Sequence, residues 1–280
     1  MKLSKMVGFA GLAVMTTALC GVPPAPPAAV QPPAAQSAPA TAEQPGAHPL
    51  DAEDLSAWLD GMVPYALKSG DIAGAVVVVV KDGKVLFEKG YGYADVAAKV
   101  PMDARTTMMR IGSTSKLFTW TAVMQLVQQG KIDLDRNVND YLDFKIPETF
   151  GKPITMRDLM NHRAGFEEGL KDVLVYDPAQ LQSTGKYLKD HPRPMLFPPG
   201  KVPAYSNYGA ALAGYIVQRV SGEPYEQYVA QHIFEPLDMT HTTMVQPLPD
   251  QFEPFMAKGY RTASDKTPSP FELVVTAPAG

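Results

Sequence analysis

The Asp82-Gly83 pair constrains this chain's fold more than any other feature. It lies between two apolar runs, Ala75 to Val80 and Val85 to Phe87. Asp-Gly between β-branched runs predicts a two-residue hairpin turn, so an antiparallel strand pair stands near the start of the folded part. Just upstream, Leu55, Leu59, Met62 and Leu67 recur at roughly helical spacing and predict a helix over 51–68. Gly90-Tyr91-Gly92 continues the second run. It shares two letters with a dinucleotide-binding loop, but the third glycine is missing and no helix follows. A strand with close backbone approach is the better reading.

Residues 21–50 are rich in Pro, Ala and Gln and lack the aliphatic periodicity of a core, so they read as an extended tether. Before them, Lys2 and Lys5 open a basic start, and an apolar run follows from Met6 to Leu19. That run is short of the roughly 20 residues a membrane span needs. Residues 1–20 therefore read as a secretory signal peptide, with a lipoprotein signal cut before Cys20 and an uncleaved anchor as rivals. All three place the remainder outside the cytoplasm, periplasmic or extracellular, with membrane association through the N-terminus left open. The expected organisation is signal or anchor 1–20, linker 21–50 and a folded domain 51–280.

Cys20 is the single cysteine of the 280 residues, which excludes an intramolecular disulfide and a four-cysteine zinc site. The net charge of −4 comes with no basic patch, so nucleic acid is not an expected partner. His48, His162, His191, His232 and His241 make no metal-ligating pair on a helix face, and neither a G-x-S-x-G elbow nor a P-loop occurs. No metal or cofactor is expected, and Met108-Met109 reads as core filler.

Further along, Ser113 to Gln129 predicts a helix that buries Leu117, Trp120, Val123, Met124 and Val127, with Gly130 as its stop. Thr155 to Asn161 predicts a short helix capped by Thr155. Residues 170–203, with Pro192, Pro194, Pro198 and Pro199, predict mostly irregular structure. Asn207 to Val220 and Tyr225 to Phe234 are helical again. Early strands and later helices give an α/β (α+β) class with a helical lobe.

Ser113-Thr114-Ser115-Lys116 fits S-x-x-K. A serine hydroxyl is a weak nucleophile that needs an adjacent base, and positions i and i+3 share a helix face. A lysine buried near other polar or positive groups can accept a proton. At the helix start the serine also lies near the positive end of the helix dipole. Ser183-Thr184-Gly185-Lys186 carries the same pattern in a short polar stretch, so the pattern alone decides little. Tyr205-Ser206-Asn207 lies 92 residues beyond Ser113, after Phe197-Pro198-Pro199-Gly200, and opens another apolar helix.

With these two elements in order and spacing, the chain resembles the class C β-lactamases, D-Ala-D-Ala carboxypeptidases and related esterases of the penicillin-binding protein superfamily. Arg110-Ile111-Gly112, Gly130 to Asp135, Ile154 to His162 and Phe197 to Gly200 carry the likeness further, across about 51–280. The resemblance implies a β-lactamase/transpeptidase-like fold, an antiparallel sheet flanked by helices plus a helical lobe. It implies that Ser113 becomes acylated, that Lys116 and Tyr205 share proton transfer, and that Asn207 holds the substrate amide and orients Lys116. A tyrosine, which ordinarily titrates near about 10, needs positive neighbours to act as a base. His162 is expected to make structural hydrogen bonds near a helix end.

The third family element, Lys-Thr-Gly, Lys-Ser-Gly or His-x-Gly on a late strand, is not found. Lys68-Ser69-Gly70 precedes the nucleophile and reads as a helix stop, and Lys266-Thr267-Pro268 carries a proline unsuited to a strand edge. By the resemblance, Thr276 to Gly280 would lead into a further helix and strands. The expectation is that C-terminal strands, and an oxyanion donor with them, are missing. The expected function is a serine hydrolase acting through an acyl-enzyme on an amide, β-lactam or ester, with a small molecule or peptidoglycan peptide as substrate. The alternative is a non-catalytic penicillin-binding or sensing module on the same scaffold.

Overall fold

The computed structural model describes residues 49–169, 173–270 and 273–279. The signal-peptide segment and nearly all of the proposed linker lie outside these residues. Leu50–Gly280 forms one compact unit.

Helix α1 (Ala52–Gly70) starts where the Asp51 carboxylate accepts the N–H groups of Glu53 and Asp54, and it stops at Asp71 in the left-handed conformation. Strands β1 (Gly74–Lys81) and β2 (Lys84–Asp95) follow as the antiparallel hairpin expected from Asp82-Gly83. Both turn residues take positive φ, 50° and 72°, which is the geometry that matches strand twist. The short β3 (Val100–Pro101) completes a sheet of order β1-β2-β3. A Cβ on Gly90 would stand 2.0 Å from the Met102 carbonyl oxygen, and one on Gly92 2.3 Å from that of Ala73. The two glycines are therefore where the backbone of β2 is approached most closely. Leu59 and Val63 of α1 cover this sheet through Phe87 and Tyr91.

The helical part is built on α2 (Lys116–Gln128) and α5 (Asn207–Ser221), which pack together in the main core. Around them lie α3 (Met156–Met160), α4 (Thr184–Asp190) and α6 (Tyr225–Val229), the last running into a π-helical turn over Ala230–Phe234. A second small sheet pairs β4 (Leu174–Val175) with β5 (Leu273–Val274). The mixed helix-and-sheet fold agrees with the class expected from sequence. Thr155 caps α3 through a reciprocal box with Asp158.

Residues 173–203 are mostly irregular, as expected, and also hold β4 and α4. Two local expectations are corrected. Met108 is buried but Met109 is 39% exposed, and both line a cavity of about 340 Å³. The face of α2 that turns inward is Lys116, Thr119, Ala122, Val123 and Leu126, whereas Leu117 is 62% and Met124 44% exposed. The polar partners of Lys116 set that rotation, since a buried ammonium must be hydrogen-bonded.

Candidate active site

Ser113 lies in a 3-10 turn, Gly112–Ser115, and α2 begins at Lys116. The serine therefore precedes the α-helix and does not open it. Gly112 takes a left-handed φ of 53° just before it. In a 3-10 turn, side chains three apart eclipse one another. Lys116 accordingly lies over Ser113, its Nζ donating to Ser113 Oγ at 3.0 Å.

An ammonium has three N–H donors and no acceptor. The other two N–H groups of Lys116 go to Asn207 Oδ1 at 2.8 Å and to the carbonyl of Ala279. Lys116 itself is buried, while Ser113 faces solvent. Tyr205 brings its hydroxyl to 2.5 Å from Ser113 Oγ and 3.4 Å from Asn207 Oδ1. The Lys116 ammonium stands 4.8 Å from the centre of the Tyr205 ring. Ser113, Lys116, Tyr205 and Asn207, singled out from sequence, thus come together in one cluster.

The loops after α3 and before α5 hold Tyr205 in place. Leu196 N–H donates to Gly165 O at 2.8 Å, Gly200 N–H to Arg163 O at 2.8 Å, and Ala204 N–H to His162 O at 2.6 Å. His162 takes a left-handed φ of 52°, and its Nδ1 accepts the Ser206 N–H at 3.2 Å. Its ring lies 4.5 Å from that of Tyr205. Burial, followed by the charge of Lys116, lowers the His162 pKa, and the charge of Glu168 opposes them. The imidazole is then neutral with its proton on Nε2, since Nδ1 accepts. His162 makes the structural hydrogen bonds expected of it, and its ring also supports Tyr205.

Sequence reasoning missed Glu168, Ala279 and Thr119 with its partners. Glu168 accepts the Asn207 backbone N–H at 2.7 Å and the Asn207 Nδ2–H at 3.0 Å. Ala279 supplies its carbonyl to Lys116. Thr119, one turn along α2 from Lys116, donates to the Pro278 carbonyl at 2.6 Å and lies 2.7 Å from Tyr225 OH. Thr119 has one proton, already given to Pro278, so Tyr225 donates. A threonine three positions after Lys116 in an apolar helix was the one readable signal. Nothing in the letters marked Glu168 or Ala279.

The other S-x-x-K stretch has another use. Ser183 caps α4, its Oγ accepting the Lys186 backbone N–H at 3.3 Å, and the Lys186 ammonium pairs with Asp190 in solvent. Among the described residues, no group of three His, Cys, Asp or Glu is placed to hold a metal ion, and no helix is long and apolar enough to cross a membrane.

The chain is similar to several known proteins. Protein flp of Staphylococcus aureus (strain MW2) is 33% identical over 200 residues, which cover 69% of this chain and 39% of flp. The chain therefore spans well under half the length of that relative. Among solved structures, the octameric penicillin-binding protein homologue from Pyrococcus abyssi superposes with a TM-score of 0.66 at 27% identity, over 80% of this chain and 54% of that one. EstCE1, a hydrolase with promiscuous acyltransferase activity, gives 0.65 at 27% identity, over 79% and 60%. A class C beta lactamase shares the fold, with a TM-score of 0.64 at 22% identity, over 82% of this chain and 61% of its own. The beta-lactamase family model matches residues 55–276, and on that match the chain belongs to the beta-lactamase family.

Proposed function

We propose that the domain is a serine hydrolase that acts through an acyl-enzyme on Ser113. The observation that carries this reading is the hydrogen-bonded set of Ser113 Oγ, Lys116 Nζ and Tyr205 OH. Lys116 donates all three of its protons, so it supplies positive charge beside Oγ and Tyr205 is left to accept the serine proton. In the proposed reaction Tyr205 acts as a phenolate beside the Lys116 ammonium, and Ser113 Oγ attacks a carbonyl carbon as its proton passes to the Tyr205 oxygen. The tetrahedral intermediate collapses, the bond to the leaving nitrogen or oxygen breaks, and Tyr205 returns the proton to that atom. Water then adds to the acyl-enzyme with the same proton traffic, releasing the acid and restoring Ser113. Asn207 holds Lys116 and presents its amide edge to the substrate.

The substrate proposed is an ester or amide of peptidoglycan-peptide type, β-lactams included. Support comes from a neighbour named for penicillin binding and another named as a hydrolase. Export to the periplasm or cell exterior is part of the proposal and rests on Lys2, Lys5 and the apolar run after them.

The test is intact mass after treatment with a fluorophosphonate, on the wild type and on Ser113→Ala. One adduct on the wild type, absent from the variant, is expected. Screening with a penicillin, an aryl ester and a D-Ala-D-Ala peptide follows. Acylation without turnover on all three would favour a binding or sensing module instead.

A further inference from the structure

Asn207 has two faces, an oxygen that accepts and an NH2 that donates, and its usefulness to Lys116 depends on which way it points. Rotated by half a turn, it would aim N–H groups at an ammonium that can only donate. The backbone alone does not set this choice, because the amide group is nearly symmetric in shape. The setting comes from outside the letters of the motif. Glu168 offers two acceptors to residue 207, one for the backbone N–H at 2.7 Å and one for the side-chain Nδ2–H at 3.0 Å. An ionised carboxylate accepts only, so it holds the NH2 face toward itself and leaves Oδ1 for Lys116 at 2.8 Å.

We propose that Glu168 is a positioning residue, whose carboxylate fixes the orientation of the Asn207 amide and through it the ammonium beside Ser113. Glu168 is exposed and touches neither Ser113 nor Tyr205 among its hydrogen bonds, so it acts through Asn207. Its contact with the first N–H of α5 is a separate, structural duty as a cap. The two duties come apart in Glu168→Gln. The new carboxamide keeps an oxygen for the backbone N–H but turns an NH2 toward the Asn207 NH2. That forces the Asn207 amide to rotate, and Lys116 loses its acceptor.

The inference rests on the reading of Ser113 as nucleophile only for its kinetic readout. Glu168→Gln should lower the fluorophosphonate acylation rate by about 10- to 100-fold, the effect of losing a hydrogen bond to a charged group, with an unchanged unfolding midpoint. Asn207→Asp alone should also react slowly. The double variant Glu168→Gln/Asn207→Asp reverses the donor and acceptor between the two side chains at constant total charge, and should regain most of the rate. A wild-type rate in Glu168→Gln, or no recovery in the double variant, would overturn the inference. If the wild type itself does not acylate, the proposed function fails while the inference is still read by NMR. The Lys116 ammonium 15N signal, assigned by its absence in Lys116→Arg, should move in Glu168→Gln and return in the double variant. An unmoved signal would refute the positioning role.

Discussion

Ser113 to Lys116 and Ser183 to Lys186 spell the same four-residue pattern, and the protein makes opposite things of them. At the first, the serine sits on a 3-10 turn and the lysine begins the helix, so the lysine side chain eclipses the serine and points into the domain. At the second, the serine caps α4, spends its oxygen on the Lys186 backbone N–H, and the lysine lies outside, paired with Asp190. The difference is one of partners. Lys116 meets Asn207 and Ala279, while Lys186 meets a carboxylate within its own helix. A motif of this kind acquires chemistry only where the rest of the chain supplies acceptors for a buried ammonium.

The largest effects should separate the two stretches outright. Ser113→Ala should abolish the phosphonate adduct, and Lys116→Ala should slow acylation on the order of 100- to 1000-fold, the usual range for loss of one preorganised electrostatic donor. Adduct formation surviving in Ser113→Ala but lost in Ser183→Ala would invert the comparison. Tyr205→Phe should come next, at about 100-fold or more in acylation rate with little change in stability, since the ring keeps its contact with His162. Thr119→Val tests the support behind Lys116. It leaves the Tyr225 hydroxyl and the Pro278 carbonyl unpaired in the core, at a cost of about 1–3 kcal/mol for each, read from urea unfolding.

His162 gives a pH signature. Its folded pKa lies below the ordinary 6.5, so the unfolded chain binds the extra proton first. Stability should therefore fall as pH drops below about 6.5 toward the folded value, and His162→Gln should flatten that part of the curve. The smallest effects belong to the second stretch. Ser183→Ala should cost about 1 kcal/mol as a lost cap, with acylation unchanged. Lys186→Ala should cost about 0.5 kcal/mol or less, as an exposed i,i+4 pair.

Much of the fold was legible because its signals are local. Asp82-Gly83 forced the hairpin, Thr155 capped its helix, and Gly90 and Gly92 marked close backbone approach. The cluster of Ser113, Lys116, Tyr205 and Asn207 could be chosen by order and spacing. What the sequence hid was set by distant partners. The inward face of α2 was misread because Leu117 and Met124 outweighed Lys116 and Thr119 on any hydrophobic count, yet hydrogen bonds to Asn207, Ala279 and Pro278 fix the rotation. Glu168 and Ala279 carry no pattern at all, since one works through its side chain on a loop and the other through a backbone carbonyl.

The carbonyl of Ala279 reaches Lys116 across 163 residues, and Tyr205 reaches Ser113 across 92. By loop-closure entropy the longer contact costs only about 0.5 kcal/mol more than the shorter. The larger consequence is one of timing. Contacts so remote in sequence form slowly, so the lysine beside Ser113 gains its last acceptor late, when most of the domain has already condensed. A chain that has folded its helices but not seated residues 276–279 would have every letter of the motif in place and an ammonium still searching for a partner.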